Sequence, residues 1–173
     1  MAETSSRPTP LLSALEHAGP IKGGAEKVAE VELFRLRVGD ASFAVESGLV
    51  QEVVRTPPIT PLPGAPTFLV GVAAHRGDVV AIVDMARLLG RGETHLGDRS
   101  RMAVAKADGM VVGLLADEVL GLARVPARAL QPPPLGAEDA EFVAGVVSGK
   151  EPMHLLDLRR ALATARQRAC ARK

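Results

Sequence analysis

From position 31 the chain alternates. Phe34, Leu36 and Val38 are separated by Arg35 and Arg37, the two-residue period of a strand with one face in a core. Gly39-Asp40 supplies a turn, and residues 42–45 return as the hairpin partner. Over 46–54 the period lengthens: Leu49, Val50 and Val53 fall at helical spacing, which predicts a short helix. Pro57, Pro58, Pro61, Pro63 and Pro66 then enforce an extended crossing segment, because proline fixes φ and offers no amide donor. Strands are predicted at 70–74 and 79–83 around an Arg76-Gly77 turn, followed by a helix after Asp84. The Asp84 carboxylate is placed to accept the orphan amides of the first turn. Gly90 closes that helix, and residues 91–100 read as a polar, mobile loop.

The second half repeats the scheme. Asp108-Gly109, which tolerates positive φ at both turn positions, joins strands at 102–105 and 111–115. A further strand is predicted at 120–125, then a proline-containing loop over 126–139, then strands at 142–147 and 153–156. Asp157 caps a last helix whose Leu158, Ala161, Leu162, Ala165 and Ala169 share one face. Gly71-Val72, Asp84, Arg87 and Leu89 are echoed by Gly145-Val146, Asp157, Arg160 and Leu162. Asp40 and Glu52-Val53 are echoed by Asp108 and Glu118-Val119. Equivalents lie roughly 70 residues apart, the mark of one unit used twice. About ten short strands in two sets of five predict a mainly β chain of two small barrels, since parallel sheets need longer helical crossovers.

Composition narrows the chemistry. Hydrophobic residues make up 47% of the 173 but aromatics only 2%, with no Trp or Tyr, so the core must be aliphatic. Phe34, Phe43, Phe68 and Phe142 all read as core residues, leaving no stacking platform for single-stranded nucleic acid. A net charge of +1 exerts no general pull on nucleic acid or membrane. The single Cys170 excludes an internal disulfide and a multi-cysteine metal site. The start lacks the basic-then-apolar order of a signal peptide, and no apolar run approaches the roughly eighteen residues of a membrane helix. The expected location is cytoplasmic. Residues 1–30, rich in Pro, Gly and Ser, read as a flexible tail in which Leu11, Leu12 and Leu15 form at most one turn.

No catalytic set emerges, and no enzyme, cofactor or metal is expected. Gly145-Val-Val-Ser-Gly-Lys-Glu is one residue short of a phosphate loop and carries Glu151 where a hydroxyl would hold magnesium. His17, His75, His95 and His154 make no helical ligand pair. Asp84 and Asp157, at matching places before helices, read as caps. The final helix carries Arg159, Arg160, Arg166 and Arg168, with Arg172 and Lys173 beyond them. Nucleic-acid or membrane-surface binding through this helix is the alternative class, against a solvated basic face near the helix C-terminus.

The order of motifs resembles the CheW-like domain of bacterial chemosensory systems. The resemblance rests on Gly71-Val72-Ala-Ala-His75-Arg76-Gly77 followed by an apolar strand to Asp84, on Val111-Val-Gly-Leu-Leu-Ala-Asp117-Glu-Val119-Leu-Gly121, and on Ile59-Thr-Pro61-Leu-Pro63. It implies two five-stranded, SH3-like barrel subdomains (roughly 31–100 and 101–165) with short helices, a C-terminal helix and a basic end at 166–173. It also implies a non-catalytic adaptor that bridges a chemoreceptor's cytoplasmic tip to a CheA-type histidine kinase, meeting the membrane only through the receptor. By resemblance the receptor's helical hairpin lies in a groove between subdomains, against Phe34, Val50 and Val119, with Glu52 and Arg76 as polar contacts. Three positions depart from the family pattern: Ala74-His75 stands for Asn-Leu, Ala81 for a proline, and Ser47 for an apolar groove residue. The first two fall on the side implied for the kinase, so the implied alternative is a member that binds receptor and not kinase.

Overall fold

The computed structural model describes residues 28–136 and 141–171; the expected tail over 1–30 and the last two basic residues fall almost wholly outside them. The chain runs β1 (Glu30–Val38), β2 (Ala41–Glu46), β3 (Val50–Arg55), β4 (Leu69–His75), β5 (Asp78–Asp84), α1 (Met85–Leu88), β6 (Arg101–Ala107), β7 (Met110–Ala116), β8 (Glu118–Pro126), β9 (Leu130–Gln131), β10 (Val143–Val147), β11 (Met153–Leu156) and α2 (Leu158–Cys170). The mainly β expectation holds, with the two-residue β9 added.

The short helix expected over 46–54 is replaced by a 3₁₀ turn, Ser47–Leu49, and strand β3. Leu49 enters the core from the turn, Val50 packs from the strand, and Val53 is exposed. Their helical spacing is therefore coincidental. β-Branched Val50, Val53 and Val54 favour the pleated strand, and β6 is available to pair with it.

The two sheets do not divide near residue 100. One has the order β8-β1-β2-β11-β10-β9, the other β3-β6-β7-β5-β4. With the repeat in view, β1 and β2 correspond to β6 and β7, β3 to β8, and the β4–β5 hairpin to β10–β11. Each sheet therefore takes its first hairpin from one copy and its other three equivalent strands from the other copy. The exchange is sealed by two matching parallel pairings, β2 with β11 and β5 with β7, while all other ladders are antiparallel. The chain changes sheet at Ser47–Leu49 and again at Asp117.

Each sheet curls over a small core of its own. Leu33, Ala44, Met153 and Leu155 fill one, and Ala73, Val80, Ile82, Met102, Val104 and Leu115 the other. A larger shared core holds them together, with Phe34, Leu36, Phe43 and Val45 from one sheet against Val83, Ala105 and Leu114 from the other. The α2 side chains Leu158, Ala161, Leu162 and Ala165 complete it. Burying each Leu or Phe contributes about 2 kcal/mol. Burial on both faces explains why β5 and β7 read as unbroken apolar runs rather than alternating ones.

The capping roles hold. Asp84 accepts the amides of Ala86 (2.9 Å) and Arg87 (3.2 Å), and Asp157 that of Arg160 (3.0 Å). Asp84 does more, since it also accepts the Thr94 hydroxyl at 2.7 Å and the Thr94 amide at 3.1 Å. The loop over 91–100, expected to be mobile, is thus fastened: Thr94 and Ser100 are buried, and the His95 amide donates to Asp117 Oδ1 at 2.7 Å. Asp117 Oδ2 accepts the Gly39 amide at 2.7 Å. One carboxylate at the sheet crossing therefore joins the first hairpin turn to this loop.

Candidate functional site

Arg76-Gly77 forms a tight turn with both residues at positive φ, 50° and 87°. Glycine takes this conformation without steric cost, whereas an arginine there is unusual. The Arg76 side chain is 75% exposed and reaches back to β3, where its Nε lies 2.7 Å from Glu52 Oε1 and its Nη2 donates to Oε2 at 2.9 Å. The guanidinium thus meets both oxygens of one carboxylate, through one hydrogen bond and one ion-pair contact. His75 Nε2 lies 2.8 Å from the same Oε1. The Arg76 hydrogen bond holds the Glu52 carboxyl below its ordinary value of 4.5; partial burial opposes this, and the His75 hydrogen bond adds to it.

These groups matter because of where they sit. β3 and β4 are the two edge strands of their sheet and share no ladder. Backbone closure comes from Thr60, whose amide and carbonyl pair with Val72 at 2.8 and 2.9 Å. Further along, at the barrel's mouth, the edges are joined by Glu52 with His75 and Arg76. That mouth is an open cleft of about 670 Å3, lined also by Gln51, Asp78, Val79 and Val111.

The five residues expected from resemblance fall into two groups. Glu52 and Arg76 are in contact at the cleft. Val50 and Val119 are half-buried and pack on the shared core, which contains Phe34. Phe34 is only 7% exposed, which leaves it almost no surface for a partner to cover. Strand β3 connects the groups, carrying Val50 and Glu52 on either side of an irregularity in its pairing with β6. Ser47, one of the departures, donates its hydroxyl to Glu32 Oε1 at 3.2 Å.

Sequence reasoning missed Val79 and Val111, which are 74% and 37% exposed in the cleft. Val79 belongs to an apolar strand whose following residues are mostly buried, so composition hid it. Its place two residues after the exposed Arg-Gly turn was the available signal.

The basic helix is partly neutralised within the chain. Arg159 donates to Asp108 Oδ1 at 2.6 Å, and Arg168 donates to both Glu141 oxygens at 2.8 and 3.0 Å. Cys170 is exposed. Among the described residues no group of three His, Cys, Asp or Glu is placed to hold a metal ion, and no helix is long and apolar enough to cross a membrane.

Fold and site together define a class: two interlocked barrels over a common core, with an open, charge-rimmed, apolar-floored cleft suited to contact with another macromolecule. Comparison gives the family. A model of the CheW-like domain matches residues 32–166. The chain is 44% identical to protein FrzA of Myxococcus xanthus over 152 residues, 86% of this chain and 95% of that one. It is 40% identical to the chemotaxis protein CheW of Rhizobium meliloti over 119 residues, 68% of this chain and 77% of that protein. The crystal structure of the scaffolding protein TtCheW from Thermoanaerobacter tengcongensis superposes with a TM-score of 0.71 over 77% of this chain and 92% of that one; at 22% identity it shows the fold. The chain belongs to the CheW-like domain family.

Proposed function

We propose that this protein is a non-catalytic adaptor of a chemotaxis-type signalling system, working in the cytoplasm, and that it binds the cytoplasmic helical tip of a chemoreceptor. The observation that carries this reading is the extent of the likeness. The family match and the similarity to protein FrzA run across both barrels and include the Arg76-Gly77 turn and the Asp117-Glu118-Val119 crossing. A helix laid against an apolar surface with charges at its rim is a recurrent recognition mode. Val50 and Val119 supply apolar surface and the Glu52–Arg76 pair the rim. Coupling to a CheA-type kinase is the further step. His75 and Ala81, which depart from the family pattern on the side implied for the kinase, favour a member that engages receptor more readily than kinase.

The test is capture of purified receptor tip and purified kinase, separately, by the full chain and by Arg76→Ala and Val79→Glu. Val119→Glu is a poor probe because Val119 packs on the shared core, so a charge there perturbs folding as well as binding. The tip is expected to be retained by the parent chain and weakened about tenfold or more by Arg76→Ala. Retention of kinase with no retention of tip would reverse the assignment.

A further inference from the structure

We propose that His75 is a positioning residue that locks the Glu52–Arg76 pair, so that Arg76 presents a fixed guanidinium edge to a carboxylate on the bound partner. The partner half of this statement rests on the receptor-binding reading above; the locking half does not.

Arg76 projects from a turn in the left-handed region and is three-quarters exposed, so no packing restrains its long side chain. Its orientation depends on Glu52. Glu52 is itself on a different edge strand, and Arg76 alone would leave the pair free to swing as a unit. His75 removes that freedom: its ring is 15% exposed, and Nε2 reaches Oε1 at 2.8 Å. Facing a carboxylate, which only accepts, the imidazole must carry a proton on Nε2. Glu52 is then held by two hydrogen-bond donors, His75 Nε2 on Oε1 and Arg76 Nη2 on Oε2, with Arg76 Nε in ionic contact with Oε1. Arg76 Nη1 has no acceptor among the described residues. A guanidinium already gripped along one side loses little freedom when its other edge meets a carboxylate, and such preorganisation favours binding. A leucine at position 75, as in the family pattern, has no donor to offer.

The experiment compares the full chain with His75→Leu and His75→Gln, the latter keeping an N–H donor. In the free protein, the Arg76 guanidinium N–H protons are followed by NMR. A resolved, slowly exchanging signal is expected in the parent chain, loss of it to the position of the exposed arginines in His75→Leu, and its recovery in His75→Gln. An unchanged signal in His75→Leu overturns the proposal, whatever the chain binds. Against a purified receptor tip, His75→Leu is expected to weaken binding about tenfold at unchanged melting temperature and His75→Gln to restore it to within about threefold. Absence of tip binding by the parent chain would remove the functional reading, while the Arg76 signal still decides the role of His75. Equal binding by the parent chain and His75→Leu would overturn the presentation of Arg76 to a partner.

Discussion

Gly71 and Gly145 hold the same position in the two barrels, each beneath a carbonyl of the segment that crosses to close its sheet. A Cβ on Gly71 would collide with the Thr60 carbonyl and lie 2.8 Å from Ile59 Cγ2; one on Gly145 would lie 3.1 Å from the Gln131 carbonyl. Thr60 pairs with Val72, and Gln131 with Val146. The echoed Gly-Val pairs thus mark the two places where backbone must approach backbone.

Gly71→Ala is accordingly expected to destabilise by about 3 kcal/mol, because the obstruction is main chain and cannot rotate away, and Gly145→Ala by about 1 kcal/mol. Urea denaturation of the two variants checks the order. Equal losses would contradict the asymmetry of the two approaches.

The two capping aspartates should also separate. Asp157→Ala is expected to cost about 1 kcal/mol, the usual loss of an N-cap. Asp84→Ala removes acceptors for two helix amides and for both the hydroxyl and the amide of buried Thr94, and is expected to cost about 3 kcal/mol. It should also expose the loop over 91–100 to protease, which Asp157→Ala should not. Limited proteolysis with mapped cleavage sites distinguishes the two.

Glu52 gives a pH signature of known sign. Its folded-state value is depressed below 4.5, chiefly by Arg76. The contribution of the pair to stability is therefore fully present above that ordinary value and is lost as pH falls through the lower folded one. The Glu52 side-chain carbon, followed by NMR titration, should show a midpoint below 4.5, and Arg76→Ala should move it upward. A midpoint unmoved by that substitution would mean the contact is absent in solution.

How legible all this was in the sequence depends on range. The Asp84 and Asp157 caps, the Asp108-Gly109 turn and the alternation of β1 are set by neighbours a few residues away, and each stands where expected. The segment over 46–54 misled because four apolar residues in nine match two periods at once, and only the presence of β6 alongside selects the strand. The exchange of hairpins was illegible for a different reason. β2 has the same apolar pattern whether it lies beside β5 or β11, so nothing local records the choice. Glu52 and Arg76 were reached through resemblance alone. Their contact crosses between two edge strands, which no spacing along the chain encodes. Phe34, which the alternation of β1 marks for the core, is buried there, and its groove contact is implied by the resemblance alone.

The route of the chain between its sheets has a consequence for synthesis. Every strand of the β3–β7 sheet lies within residues 50–116, so that barrel has all its strands before β8 is made. The β1–β2 hairpin, although made first, has its flanking strands in β8 and in β11, which ends at Leu156. It must wait, with Phe43 and Leu33 lacking their final cover, until β11 has emerged from the ribosome. The first-made hairpin of the two sheets is the last to be housed.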